Sequence, residues 1–150
     1  VFTAPSPKPG SFDIIQLIES YVSKNKNAIY VKSFGQENYF AMLNQVDAII
    51  GNSSSGILEA PSFRKLTINI GERQSGRLKA NSIIDVNPIE SEIRSSIDQL
   101  IAGNFKEKLK AAENPYFKVG TAKAISNYVL EIDLNNLKKR PFYDIDFFIK

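Results

Sequence analysis

The sequence predicts an α/β fold, a Rossmann-like parallel sheet flanked by helices. Three observations carry this. Short apolar runs and helix-period segments alternate along the chain, the sequence mark of parallel strands joined by helical crossovers. Val46–Ile50 is an apolar run of the kind a buried strand shows, and Gly51-Asn52-Ser53-Ser54-Ser55-Gly56 breaks it sharply. With 150 residues, 43% hydrophobic and 23% charged, the chain has the length of one domain and enough apolar side chains for a core.

Val1-Phe2-Thr3 reads as the end of a strand already in progress, followed by the Pro-rich loop 4–10. Ile14, Ile18, Tyr21 and Val22 recur at helical spacing, with Ser11 as the expected N-cap. Residues 28–32 are a short strand candidate, and Tyr39, Leu43 and Val46 mark one face of a second helix. Ile57–Phe63 predicts a short helix that Pro61 must enter in its first turn or end. Leu66–Ile70 and Ser82–Val86 are further strands, separated by the loop Gly71–Arg77. Asn87 as N-cap, Pro88 at the first helical position and Glu90 three residues on predict a capping-box variant. Ile89, Ile93, Ile97 and Leu100 give that helix its stripe, and Gly103 stops it. A basic helical piece over 105–112 precedes Asn114-Pro115, and Ala122, Ile125, Val129 and Ile132 mark a last amphipathic helix.

Composition excludes several chemistries. The chain has no Cys and no His, so disulfides, thiolate metal sites, cysteine nucleophiles and imidazole bases are absent from it. The net charge of +3, spread along the sequence, is too mild to argue for nucleic acid. No run approaches the length of a membrane span. The lone Met is Met42, and residues 141–150 are rich in aromatics. One domain of a longer, cytoplasmic protein is therefore expected.

In open parallel sheets, ligands bind beyond the carboxyl ends of the strands. That rule points to Gly51–Glu59, where a strand enters a Ser/Gly turn that opens a helix. Free backbone N–H groups, hydroxyls and the positive helix end suit a phosphate or diphosphate. Gly51 and Gly56 would permit tight turning and close approach of a ligand. The glycine spacing fits neither a Walker A loop nor a GxGxxG fingerprint. The rival reading is a solvated turn that caps a helix, and on composition alone it is slightly the better one. Glu59, expected in the first helical turn, either complements the dipole or accepts hydrogen bonds from ribose hydroxyls. Arg73 and Arg77 lie between Gly71 and beyond Gly76 in a post-strand loop, either a mobile diphosphate clamp or a solvated basic loop. Ser33-Phe34-Gly35-Gln36 and Tyr39 follow another strand, where backbone groups could read a base edge.

Residues 46–77, VDAIIGNSSSGILEAPSFRKLTINIGERQSGR, closely resemble the hydrolysing UDP-N-acetylglucosamine 2-epimerases. The Ser33–Gln36 segment with Tyr39 and the closing Phe142-Tyr143-Asp144 fit the same family. The resemblance covers essentially the whole chain, but only the second of that family's two Rossmann-like domains. It implies that residues 1–150 are the C-terminal, UDP-binding half of a GT-B-type enzyme, with 134–150 as a C-terminal crossover tail. It also implies that Ser53, Ser54 and Gly56 hold the diphosphate, Glu59 the ribose, Arg73 the phosphate and sugar, and Ser33 the uracil. Arg77 matches the motif and is placed behind Arg73 in the same UDP site. Two departures are visible: Ser6 and Lys8 stand where the family usually has Asn and Asp, and Leu66 where Pro is usual.

The chemistry implied is elimination of UDP to an acetamidoglucal, then hydration to free N-acetylmannosamine. The proton-transferring carboxylates belong to the partner N-terminal domain, so no catalytic residue is assigned here and this piece alone is expected to be inactive. The resemblance implies no cofactor or metal. A UDP-sugar substrate, the N-terminal domain and a possible homo-oligomer are the partners, with no nucleic acid and no membrane. Rival readings are a glycosyltransferase of the same architecture and a non-catalytic nucleotide-sugar binding module.

Overall fold

The computed structural model describes residues 1–133. Val1–Pro115 form one compact unit, and a second begins at Tyr116. The expectations for Leu134–Ile149 and for Phe142-Tyr143-Asp144 lie outside the described residues.

In the first unit, strands and helices alternate as the sequence predicts, and every strand pairing is parallel. β1 (Phe2–Thr3) leads through α1 (Ser11–Lys24) to β2 (Tyr30–Val31), and these two short strands pair with each other. After α2 (Gly35–Gln45), β3 (Ala48–Gly51), β4 (Leu66–Ile70) and β5 (Ile83–Val86) form a second sheet in the order β3-β4-β5. Its register sets Ala48 beside Leu66 and Thr67 beside Ile83. α4 (Glu90–Ile101) and α5 (Lys106–Lys110) follow. The second unit contains α6 (Thr121–Glu131), entered through Gly120 in the left-handed conformation. Ala122, Ile125 and Val129 lie within α6, and Ile132 is its extended C-cap.

The core sits on β4. Leu66, Thr67, Ile68 and Asn69 are all buried, because this strand has a neighbour on each side. Ile57, Ala80 and Ile83 pack as one cluster. The Asn114 amide donates to the Leu58 carbonyl and the Ser62 hydroxyl, fastening the 114 segment to the elements beyond β3.

Local chemistry moved several expected boundaries. Ser11 is the first residue of α1 and not its cap, which is Gly10 at φ 82°. Its hydroxyl accepts from the Lys8 N–H and donates to the Ser6 carbonyl, so it ties the opening loop instead. Within α1, Ile18 and Val22 are half-buried, whereas Ile14 and Tyr21 are about half exposed. The strand expected over 28–32 contracts to Tyr30–Val31, and Val46 is the extended C-cap of α2 and belongs to neither expected element.

The start of α4 also differs. The helix begins at Glu90, with Ile89 in an extended conformation as N-cap. Asn87 lies outside it: its N–H and side-chain amide both donate to the Glu92 carboxylate. Glu92, the third helical residue, thus reaches back two residues beyond the N-cap, and the expected capping box with Glu90 is not formed. Ile93, Ile97 and Leu100 are half-buried, and Ile89 is exposed.

Parallel strands require a crossover of about a dozen residues, usually helical. Between β4 and β5 that crossover is irregular, running through residues 71–82. Its mouth is closed by the Gly71 N–H donating to the Val86 carbonyl, and Gly71 and Gly76 take left-handed φ values.

Candidate functional site

The carboxyl end of β3 delivers the chain into the Ser-rich turn. Gly51 ends the strand at φ 143°, a value that favours glycine, and the chain turns through Asn52, Ser53 and Ser54. α3 (Ser55–Leu58) is a single turn, followed after Glu59 by a 3-10 turn over Ala60–Phe63 with Pro61 near its start. The seven-residue helix expected over 57–63 is thus broken at Glu59. One turn of helix carries little dipole, so the anion-binding capacity of this end resides in its individual N–H groups. The Ser53 and Ser54 amides donate to no group among the described residues. The Ser53 hydroxyl accepts from the Ser55 N–H at 3.3 Å, so the residue caps locally while keeping its own O–H to give.

Gly56 has a packing role that the sequence did not reveal. It is buried, and a Cβ there would meet the Thr67 methyl at 2.6 Å. The Thr67 hydroxyl donates to the Gly56 carbonyl at 2.9 Å. The missing side chain admits β4, and close packing of turn on strand accounts for the glycine without a ligand.

Glu59 stands at the joint between α3 and the 3-10 turn, not in the first turn of a helix. A role in complementing that helix's N-terminal charge therefore falls away. The residue is half-buried, and its carboxylate has no hydrogen-bond or ion-pair partner among the described residues. Close by, the Tyr39 hydroxyl of α2 hydrogen-bonds the Ser55 hydroxyl. Burial pushes the Tyr39 phenol above its ordinary value; the bond to Ser55 opposes this, and the Glu59 charge adds to it. Tyr39 therefore stays a neutral hydroxyl beside a carboxylate.

From the β4–β5 crossover, Arg73 reaches back 21 residues and donates through Nη1 to the Asn52 carbonyl at 2.8 Å. Gln74 donates through Nε2 to the same carbonyl, also at 2.8 Å. Turns closed by Ser75 N–H to Glu72 and Arg77 N–H to Gln74 fasten the loop further. These ties argue against a freely mobile two-arginine clamp: Arg73 is held at the turn, whereas the Arg77 side chain is exposed and bonds no group among the described residues.

The structure thus gathers Ser53, Ser54, Arg73 and the Asn52 carbonyl at one strand end, with Glu59 and Tyr39 beside Ser55. Ser33 lies exposed after β2, its hydroxyl accepting from the Gly35 N–H, and no hydrogen bond joins it to that group. Gln74 and Asn52 were missed by sequence reasoning; the one signal was the place of Gln74 beside Arg73 in the GERQSGR stretch. Two cavities of about 260 and 330 Å³ flank β5, lined among others by Glu72, Lys79, Asp85 and Ser95. At the first, Asp85 pairs with Lys79 at 2.8 Å and accepts from the Asn69 amide at 2.7 Å. Burial alone would raise the Asp85 carboxyl, but Lys79 and Asn69 outweigh it and hold the group below the usual carboxylate range. Among the described residues, no group of three or more acidic side chains could hold a metal ion, and no helix is long and apolar enough to cross a membrane.

Comparison with known proteins places the chain in a family. Residues 1–130 match the family model described as UDP-N-acetylglucosamine 2-epimerase. Polysialic acid biosynthesis protein P7 of Escherichia coli is 35% identical over 149 residues, covering 97% of this chain and 37% of that protein. The GDP/UDP-N,N'-diacetylbacillosamine 2-epimerase (hydrolyzing) of Campylobacter jejuni is 37% identical over 114 residues, covering 75% of this chain and 27% of its own length. The UDP-N-acetylglucosamine 2-epimerase of Neisseria meningitidis is 33% identical over 95 residues, 63% of this chain and 25% of that protein. The matched stretches therefore span only 25–37% of these relatives' lengths. An α/β unit with parallel sheets, an open Ser-rich turn after β3 and a match over residues 1–130 lead to one conclusion: the chain belongs to the UDP-N-acetylglucosamine 2-epimerase family.

Proposed function

We propose that residues 1–150 are the C-terminal, UDP-binding domain of a hydrolysing UDP-N-acetylglucosamine 2-epimerase. The observation that carries this reading is that Arg73 is tethered, through the Asn52 carbonyl, to the same turn in which the Ser53 and Ser54 N–H groups donate to nothing among the described residues. A diphosphate in that turn would meet fixed N–H donors, serine hydroxyls and a planar cation together. The half-buried Glu59 carboxylate, without a hydrogen-bond or ion-pair partner among the described residues, is suited to accept hydrogen bonds from two vicinal ribose hydroxyls. Ser33 and Arg77 belong to the proposal through family resemblance alone.

In the whole protein, loss of a proton from carbon 2 and departure of UDP from carbon 1 would give an acetamidoglucal. Addition of water across that double bond would release free N-acetylmannosamine. This chain's part is to stabilise the negative charge on departing UDP, which needs donors already in place. The proton transfers fall to an N-terminal domain, where carboxylates act as acid and base. No cofactor enters this scheme. The domain by itself would bind UDP and turn nothing over.

The test is product analysis by NMR on the full-length protein given UDP-N-acetylglucosamine. Release of UDP with free N-acetylmannosamine is the expected result. Transfer of the sugar to an acceptor, or binding without turnover of any UDP-acetamido sugar, would overturn the proposal.

A further inference from the structure

Arg73 and Gln74 are consecutive residues in opposite environments. Arg73 is exposed, while Gln74 is only 2% exposed. Both nevertheless end on the Asn52 carbonyl, 2.8 Å away in each case. That acceptor fixes the orientation of the Gln74 amide, since the flipped form would set two carbonyl oxygens against each other. Its other end, Oε1, is buried and accepts no hydrogen bond among the described residues. An unpaired buried acceptor is costly, and an apolar side chain of similar size would avoid that cost. What the amide contributes here is therefore its bond to Asn52.

We infer that Gln74 is a positioning residue, which keeps the Asn52 carbonyl held when Arg73 leaves it for a bound diphosphate. The inference rests on reading the turn as a diphosphate site. An exposed guanidinium gains by exchanging a neutral carbonyl for phosphate oxygens, because charge-assisted bonds are the stronger ones. If Arg73 were the sole donor, the Asn52 peptide would be released as the ligand arrived, and the Ser53 and Ser54 N–H groups would lose their aim. Gln74 is buried and neutral, so neither water nor phosphate draws it away. The carbonyl is gripped twice so that one grip is free to open.

Calorimetry on the full-length protein with UDP, pyrophosphate and uridine tests this. Gln74→Met keeps the volume and removes the donor. The expected result is a loss of about tenfold in affinity for UDP and pyrophosphate, near 1.4 kcal/mol, with uridine affinity and Tm unchanged. A protein that simply folds less well would weaken all three ligands together, and that outcome, or no change at all, overturns the inference. If the native protein binds neither UDP nor pyrophosphate, the diphosphate reading itself fails and this inference with it. Should Gln74→Met not fold, the native protein still decides. By NMR, the Gln74 side-chain amide hydrogens should exchange slowly with and without UDP while the Arg73 guanidinium resonance shifts. Fast Gln74 exchange in the UDP complex overturns the inference.

Discussion

Thr67 stands so close to Gly56 that no side chain fits between α3 and β4: a Cβ on Gly56 would lie 2.6 Å from Cγ2 and 3.3 Å from Oγ1. Gly56→Ala should therefore lose about 1–3 kcal/mol of stability, the range for overpacking, despite the better helix propensity of alanine. Thr67→Ser removes Cγ2 and keeps the hydroxyl that donates to the Gly56 carbonyl. The double variant should recover most of the loss in urea denaturation. Strictly additive losses would place the strain elsewhere.

Glu59→Ala separates ribose recognition from support of the turn. In the full-length protein it should cost about 1–3 kcal/mol of UDP affinity, as loss of hydrogen bonds to a charged group does. Pyrophosphate has no ribose and should lose less. Titration of both ligands reads the difference, and equal losses would assign Glu59 to holding the loop.

Arg73→Lys retains the charge and discards the planar fork. Because Arg73 is exposed, stability should change by no more than about 0.5 kcal/mol. Affinity for UDP should fall about tenfold or more, the worth of one charge-assisted bond. Parallel falls in thermal stability and affinity would contradict a role at the ligand.

Asp85 supplies a pH dependence. Its carboxyl is held below the ordinary range in the folded protein, so its contribution is present above the unfolded value and fades as pH falls through the folded one. Asp85→Asn should lower Tm slightly at neutral pH, with the gap closing as pH falls below the ordinary carboxylate range. The side chain is 55% exposed, so solvent screening keeps the effect below about 1 kcal/mol. Thermal melts at several pH values, at low and high salt, would show it. A gap that is independent of pH would assign the variant's effect to packing.

Much of this was legible in the sequence, for reasons that differ from element to element. Leu66–Ile70 was placed to the residue, because Leu66, Ile68 and Ile70 recur at the period of a strand, with β-branched Thr67 between them, and the flanking turns are polar. Helix starts were harder. Ser11 and Asn87 have the right chemistry for caps, but their side chains are engaged by Ser6 and Lys8 in one case and by Glu92 in the other. Such local competition has no periodicity to reveal it. The turn at Ser53 followed from a strand running into a Ser/Gly break, and Arg73 was singled out for its planar fork in the loop after Leu66–Ile70. Gln74 was not, because a glutamine in a polar loop is compositionally alike whether solvated or buried. Its burial is created by a contact 22 residues away.

The two donors on the Asn52 carbonyl also bear on the order in which the molecule assembles. Each arrives from the far side of β4, so neither bond can form until a loop of more than twenty residues has closed and β4 has docked beside β3. Closing such a loop carries an entropic cost that only the strand pairing and its buried side chains can repay. The Ser-rich turn is consequently tied down from the β4–β5 crossover only after β4 has paired with β3.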